Sequence, residues 1–280
     1  MSDHSIQIDG YEVFEELGHG GMGTVYRARQ TFFDRDVALK VILPRLASDR
    51  EFSARFRTEM RLAASIDHPN VVPVYDAGES NGNLYFAMKL IRGDDLWARI
   101  GSAGSLSPDF VVGVVEQVAG ALDEAHGLEI LHRDVKPSNV LLDNRTGGAY
   151  LSDFGIAKSM EAAQPLTETG FRAGALKYVS PERLKGEVPD ARADVYSLGC
   201  VLFQALTGEL PFEDKSDASI MFAKVNDDTR VPSDINPTLW RFDRVVSKAL
   251  IADRNKRFSS AGELAVAARA ALSGSDPTML

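Results

Sequence analysis

The run Leu131-His132-Arg133-Asp134-Val135-Lys136-Pro137-Ser138-Asn139 places a carboxylate, two cations and an amide within a few residues, and Pro137 keeps the run from becoming helix. Asp153-Phe154-Gly155 follows, its aspartate fourteen residues beyond Asn139. An amide oxygen and a carboxylate are the hard oxygen ligands that magnesium takes when it is shared with substrate phosphates, so Asn139 and Asp153 form a candidate metal pair. Asp134 has the chemistry to accept a hydroxyl proton, and Lys136 that to stabilise charge on a transferred group. Nearer the N-terminus, Gly18-His19-Gly20-Gly21-Met22-Gly23-Thr24-Val25 supplies glycines where backbone must approach a phosphate with no Cβ in the way. Alone that signal is weak, because a tight glycine hairpin without a ligand reads the same. A Rossmann site would place the glycines between strand and helix, whereas here they run into the strand-like Thr24-Val25-Tyr26-Arg27-Ala28, which favours a hairpin lid over phosphates.

These residues need elements to carry them. Tyr11 to Gln30 reads as two strands around the glycine turn, and Asp36 to Leu43 alternates as a third. In that third strand Val37, Leu39, Val41 and Leu43 point one way, while Lys40 shares the opposite face with Ala38 and Ile42. Ser48, with Glu51 three residues on, resembles a capping box opening a helix whose apolar face is Phe52, Phe56, Ala63 and Ile66. Glu59 falls on that same stripe. Two readings stay open: a core-facing carboxylate that needs a cation, for which Lys40 is the nearest candidate, or a residue at the stripe's edge that reaches water. Ser107 and Pro108 open a helix in which Phe110, Val111, Val114, Val115, Val118, Ala121, Leu122 and Ala125 are nearly continuous, so it is expected at the centre of the molecule. Asp194 to Thr207 reads as a second buried helix, closed by Gly208 and holding Cys200 as a small apolar residue. The texture turns from strand-like to helical near residue 90, which fits two lobes sharing one cleft.

In this order the motifs resemble those of a protein kinase, specifically a bacterial serine/threonine kinase of the eukaryotic-like type, over roughly Tyr11 to Leu272. The resemblance implies an α+β, two-lobed fold: a small antiparallel β-sheet lobe with one helix, about 11–90, and a larger, mainly helical lobe, about 91–272. Residues 273–280 would begin a linker or tail. It implies ATP and magnesium, with manganese as the alternative ion. Leu17, Gly18, Gly20 and Gly23 would cover the nucleotide, and Val25, Ala38 and Leu141 would sandwich the adenine. Lys40 would hold the α and β phosphates and pair with Glu59. Met88 would be the gatekeeper and Lys89-Leu90-Ile91 the hinge. Asp134 resembles the catalytic base, Asn139 and Asp153 the metal ligands, and Lys136 the residue typical of serine/threonine rather than tyrosine kinases.

Further along, the resemblance implies that Glu182 and Arg257 form a buried ion pair anchoring the activation segment, and that Asp194 braces the catalytic loop. Arg133, preceding the catalytic aspartate, would clamp a phosphate with help from Lys158 and Arg55. Thr169 and Thr167 are the expected autophosphorylation sites, with Ser159 also in the segment. One departure stands out: Ala175 follows Gly174 where most relatives carry threonine, whose hydroxyl normally supports the aspartate and lysine of the catalytic loop. That departure alone favours a weakly active or inactive nucleotide-binding scaffold. Intact Lys40, Glu59, Asp134, Asn139 and Asp153 favour an active enzyme on protein Ser/Thr, and the long segment ending in Pro181-Glu182 disfavours a small-molecule phosphotransferase.

Composition bounds the rest. The 280 residues carry 31 Lys plus Arg against 40 Asp plus Glu, a formal charge of −9, so the basic footprint of a nucleic-acid-binding protein is missing. A hydrophobic fraction of 44% is that of a globular chain. A single cysteine excludes an internal disulfide and favours a reducing, cytoplasmic setting. No apolar run approaches the roughly 18 residues of a membrane span, so no membrane contact is expected from this chain, although the resemblance allows a parent protein anchored elsewhere. Homodimerisation through the first lobe is a further expectation from relatives. Glu213, Asp214, Asp217, Asp227 and Asp228 read as a solvated acidic face, with docking of basic substrates as the alternative.

Overall fold

The computed structural model describes residues 6–154, 175–212, 216–226 and 229–274. The chain divides into two compact units, residues 1–67 with 71–92 and residues 68–70 with 93–280.

The first unit is a five-stranded antiparallel sheet, β1 (Tyr11–His19), β2 (Gly23–Gln30), β3 (Arg35–Ile42), β4 (Val74–Ser80) and β5 (Asn83–Lys89), in the spatial order β1-β2-β3-β5-β4. Alternation along β3 does sort its side chains, but both faces are covered: Val37, Leu39 and Val41 join Ile8, Ala28 and Ala87 in one core, and Ala38, Lys40 and Ile42 are buried on the other side. A short α1 (Pro44–Ala47) leads into α2 (Arg50–Ser65), which buries Phe52, Phe56, Met60 and Ala63 and packs along β4. The Phe56 ring stands 6.3 Å from Phe86 of β5. The expected capping box is displaced by one residue. Asp49, not Ser48, caps α2, accepting from the amides of Glu51 and Phe52, because Ser48 is already spent closing α1.

The second unit is mainly helical. It holds α3 (Leu96–Ala103), α4 (Pro108–Gly127), a hairpin of β6 (Val140–Leu142) and β7 (Ala149–Leu151), α5 (Pro181–Leu184), α6 (Arg192–Thr207), α7 (Asp217–Val225), α8 (Pro232–Ile235), α9 (Asp243–Leu250) and α10 (Ala261–Ser273). As the apolar runs require, α4 and α6 are central: α4 packs on α10, α6 and β7, and every residue of α6 from Ala193 to Thr207 is buried, Cys200 among them. Gly208 ends α6 in the left-handed conformation at φ 82°, where a Cβ would stand 2.4 Å from the Gly104 carbonyl.

His68–Asn70 belongs to this second unit although it lies between strands of the first. Asn70 Nδ2 donates to Gln117 Oε1 (2.9 Å) and to the Ala149 carbonyl (2.8 Å), and the Leu151 amide donates to the Asn70 carbonyl (2.7 Å). No helix of the described residues is long and apolar enough to cross a membrane.

Candidate active site

In the first unit the glycine run is the turn between β1 and β2, held by the Gly20 amide on the Gly23 carbonyl (2.9 Å) and by the Leu43 amide on the Met22 carbonyl (2.7 Å). Its glycines differ in kind. A Cβ on Gly23 would stand 2.0 Å from the Val41 carbonyl oxygen, so this glycine is demanded by the neighbouring strand β3. Gly18 and Gly20 face open space, which is what a backbone kept clear for a ligand requires. Leu17 is half exposed beside them. Val25 sits opposite Lys40 in the β2–β3 register, and Ala38 opposite Met88 in the β3–β5 register, so lysine, small residue and gatekeeper candidate lie on adjacent rungs. Lys40 is buried, with Nζ 5.7 Å from the centre of the Phe86 ring. Leu90, in the expected hinge, is half-buried just beyond β5.

Glu59 lies half-buried on α2, which supports the edge-of-stripe reading. Among the described residues it forms no ion pair with Lys40, so that expected contact is absent from this conformation. Arg55, expected to help clamp a phosphate, is engaged by Glu51 one turn earlier on α2.

In the second unit the loop 131–139 is wired from below. Asp194, at the start of α6 and 1% exposed, accepts from the amides of His132 and Arg133, each at 2.8 Å, and from His126 Nε2 at 2.9 Å. Burial alone would raise its pKa, yet the His126 hydrogen bond and the backbone amides hold it below the ordinary aspartate value, so it stays an anion. His132 is fully buried with its tautomer set by its neighbours: the Asp134 amide donates to Nδ1 (3.2 Å), leaving Nε2–H to donate to the Ser152 carbonyl (2.9 Å). Burial keeps it neutral by lowering its pKa against the pull of Asp194. Arg133 takes the left-handed conformation (φ 63°), an uncommon one for a non-glycine residue that these bonds sustain.

The result is a set carboxylate. Lys136 Nζ donates to Asp134 Oδ2 at 2.8 Å, and Asn139 Nδ2 donates to the Asp134 carbonyl (2.8 Å) and to Oδ2 (3.2 Å). Because the amide nitrogen of Asn139 is committed to Asp134, its oxygen is the atom left to serve as a ligand. The β6–β7 hairpin brings the second candidate close: Val140 pairs with Leu151, and Ser152, the residue before Asp153, donates through N (2.9 Å) and Oγ (3.1 Å) to the Asn139 carbonyl. Asp153 is itself left-handed (φ 59°), and Phe154 behind it packs on the His132 ring at 4.6 Å. An amide oxygen beside a carboxylate fits a divalent cation of the hard, oxygen-seeking kind. Leu141, the expected lower adenine contact, is half-buried on β6.

The segment after this centre is anchored by a bidentate pair. Arg257 donates to both oxygens of Glu182 at 2.8 and 2.7 Å, with the Arg257 side chain at 0% and that of Glu182 at 3% exposure, and the carbonyls of Arg192, Ile251 and Ala252 take up the remaining donors. Burial by itself would raise the Glu182 pKa, but the Arg257 bonds and charge bring it below the ordinary value. Thr167, Thr169, Ser159 and Lys158 lie outside the described residues, as do Glu213, Asp214, Asp227 and Asp228 and the side chains of Ala175 and Asp217. Residues that periodicity did not single out are His132, Ser152 and Lys224. The signal for Lys224 is its place on α7 four residues after buried Ile220, on the inward face.

A family model described as "Protein kinase domain" matches residues 11–268. The serine/threonine-protein kinase PknE of Mycobacterium bovis is 40% identical over 276 residues, 98% of this chain and 48% of the relative. PknD of Mycobacterium tuberculosis, also named a serine/threonine-protein kinase, is 40% identical over 273 residues, 96% of this chain and 41% of the relative. The chain thus spans less than half the length of these relatives. Among solved structures, the kinase domain of Mycobacterium tuberculosis PknI superposes with a TM-score of 0.76 at 34% identity, covering 95% of this chain and 98% of that one.

Proposed function

From a chain that belongs to the protein kinase family, in its bacterial serine/threonine branch, we propose a specific chemistry: transfer of the γ-phosphate of ATP to Ser and Thr hydroxyls of protein substrates, with Asp134 as base. The observation that carries it is the Asp134 carboxylate, oriented by Lys136 and Asn139 on a loop that Asp194 braces. The hydroxyl of the substrate approaches Asp134, which orients it and takes its proton as the O–P bond forms. Lys136, 2.8 Å from the same carboxylate, offers positive charge to the phosphoryl group in flight. In the first unit Lys40 holds the α and β phosphates, and the turn at Gly18 and Gly20 leaves backbone amides clear to cover them. Asn139 and Asp153 would hold the divalent cation, magnesium by preference for its octahedral oxygen site, with manganese as substitute. When bound, that ion neutralises phosphate charge.

Arg133 supports the regulatory part of the reading. Its Nε is buried with no hydrogen-bond partner among the described residues, a donor suited to a phosphate on Thr169 or Thr167. Mass spectrometry after incubation with ATP and magnesium should find both threonines modified, and an active enzyme with neither modified would remove this idea. Glu59 completes the catalytic set by pairing with Lys40 in the active conformation. Homodimerisation through the first unit, and anchoring of a longer parent protein at the membrane, belong to the same proposal. The intact catalytic set and relatives named as kinases leave the inactive-scaffold alternative without support.

The deciding experiment is incubation with radiolabelled ATP and a divalent cation, wild type beside Asp134→Asn. Label in the wild type and a loss of roughly 10²–10⁴-fold in the variant are expected. Equal label in both would remove Asp134 as base, and no label in either would remove the kinase reading.

A further inference from the structure

Lys224 is the one lysine of the described residues with 0% exposure. It lies on α7, and its ammonium donates to the carbonyls of Lys177 (3.0 Å) and Val179 (2.9 Å). The rings of Tyr196 and Phe212 flank it, with centroids 4.8 and 5.1 Å from Nζ. No carboxylate of the described residues pairs with it within 4 Å. A buried ammonium without a counter-ion is costly, and leucine or methionine would fill the same space on an inward helix face without that cost. What the cation does here is hold backbone.

The backbone it holds is short and well defined. The Tyr178 carbonyl accepts from Ser197 Oγ at 2.8 Å, so with Lys224 all three carbonyls from Lys177 to Val179 are occupied from α6 and α7. The Tyr178 hydroxyl is tied as well, donating to Gln204 Oε1 at 2.5 Å. Directly after comes Ser180-Pro181-Glu182, whose glutamate is fixed by Arg257. The stretch is therefore pinned at each residue, and it leads into Pro181-Glu182, the end of the long segment that the kinase resemblance gives to protein rather than small-molecule substrates.

We propose that Lys224 is a positioning residue for protein substrate: its ammonium shapes the Lys177–Val179 backbone into the surface on which the substrate peptide lies, without touching ATP or the reacting atoms. This rests on the kinase reading above. The surroundings also make the clamp sensitive to pH. The titratable and charged groups facing Lys224 are Cys200 and Tyr196 from α6 and Arg257, itself paired with Glu182. Burial pushes the Lys224 pKa down to about 8, with the Cys200 thiol opposing and the Arg257 charge assisting. Above that value the amine keeps two donors but loses the charge that roughly doubles the strength of each bond.

The test compares wild type with Lys224→Met in the full chain, by amide hydrogen exchange across 177–184 and by steady-state kinetics on a seryl peptide that has no group titrating between pH 7 and 9. Expected are faster exchange in the variant and a peptide KM raised about tenfold, with the KM for ATP unchanged. In the wild type alone the peptide KM should rise about threefold from pH 7 to pH 9. Unaltered exchange in a folded variant overturns the clamp, and faster exchange with an unaltered peptide KM overturns its role in substrate positioning. Should Lys224→Met fail to fold, a flat wild-type KM across that pH range overturns the proposal by itself. A wild type that transfers no phosphate at any pH removes the kinase reading and the substrate half of this proposal together, whereas failure of the clamp alone leaves transfer intact.

Discussion

Asp134 owes its orientation to two neighbours on its own loop, since Lys136 and Asn139 both donate to the same carboxylate oxygen. The kinase resemblance implies that a threonine at position 175 would support this group, so Ala175→Thr is expected to raise kcat by roughly 10- to 150-fold, the worth of one hydrogen bond to a charged group. Turnover at saturating ATP checks this, and an unchanged kcat would show that the Lys136 contact suffices. The Glu182–Arg257 pair is a separate matter, because it supports structure and not transfer. Removing one side, as in Glu182→Gln, leaves Arg257 buried without its anion and should cost about 3–5 kcal/mol in urea unfolding at neutral pH. The sign of its pH dependence follows from the lowered Glu182 pKa: the contribution is present above the ordinary glutamate value near 4.5 and is lost as pH falls through the lower folded-state value. The stability gap between wild type and Glu182→Gln should therefore close as the pH is taken down to 3, whereas a constant gap would mean that the carboxylate is not charged in the folded protein.

At the scale of elements, the β1–β2 turn separates two demands that a run of glycines hides. Gly23→Ala drives a Cβ to 2.0 Å from the Val41 carbonyl and should loosen β2 from β3, seen as faster amide exchange in both strands. Gly20→Ala meets nothing within 4 Å, so it should leave the melting temperature alone and act instead on the KM for ATP. If both variants melted alike, the distinction would fall. The start of α2 teaches a related lesson. Ser48 and Glu51 have capping-box spacing, but Pro44 has already begun α1, so Asp49 takes the cap and Asp49→Ala should cost about 1 kcal/mol while Ser48→Ala costs less. Strand alternation, the opening of α4 at Pro108 and the end of α6 at Gly208 were all legible, because each is set by residues a few positions apart. Where two local signals competed for adjacent residues, as at Ser48 and Asp49, spacing alone could not choose.

For the molecule as a whole, chain order and structural membership part company at His68–Asn70, which lies between strands of the first unit and belongs to the second. Asn70→Ala should accordingly speed amide exchange in the β6–β7 hairpin, where Asn70 holds Ala149 and Leu151, and leave the β3–β5 ladder unaffected. The residue types of the site and their order were readable without coordinates: Lys40, Glu59, Asp134, Lys136, Asn139, Asp153, and the Arg133, Glu182, Asp194 and Arg257 that support them. Side-chain chemistry and short spacings single out Asp134, Lys136, Asn139 and Asp153, together with the change from strands to helices and the deep burial of α4 and α6, whereas the Lys40–Glu59 pair and the supporting Arg133, Glu182, Asp194 and Arg257 came from the kinase resemblance. Tertiary structure alone decided which atoms meet across tens of residues: Asp194 beneath the amides of His132 and Arg133, Ser152 bound to the Asn139 carbonyl, Gly23 against β3, and Lys224 under the Lys177 and Val179 carbonyls. The physical reason is range. Periodicity, capping and turn chemistry act over a few bonds along the chain, whereas desolvation and hydrogen-bond satisfaction depend on whatever the completed core brings near, and that is determined by every element at once.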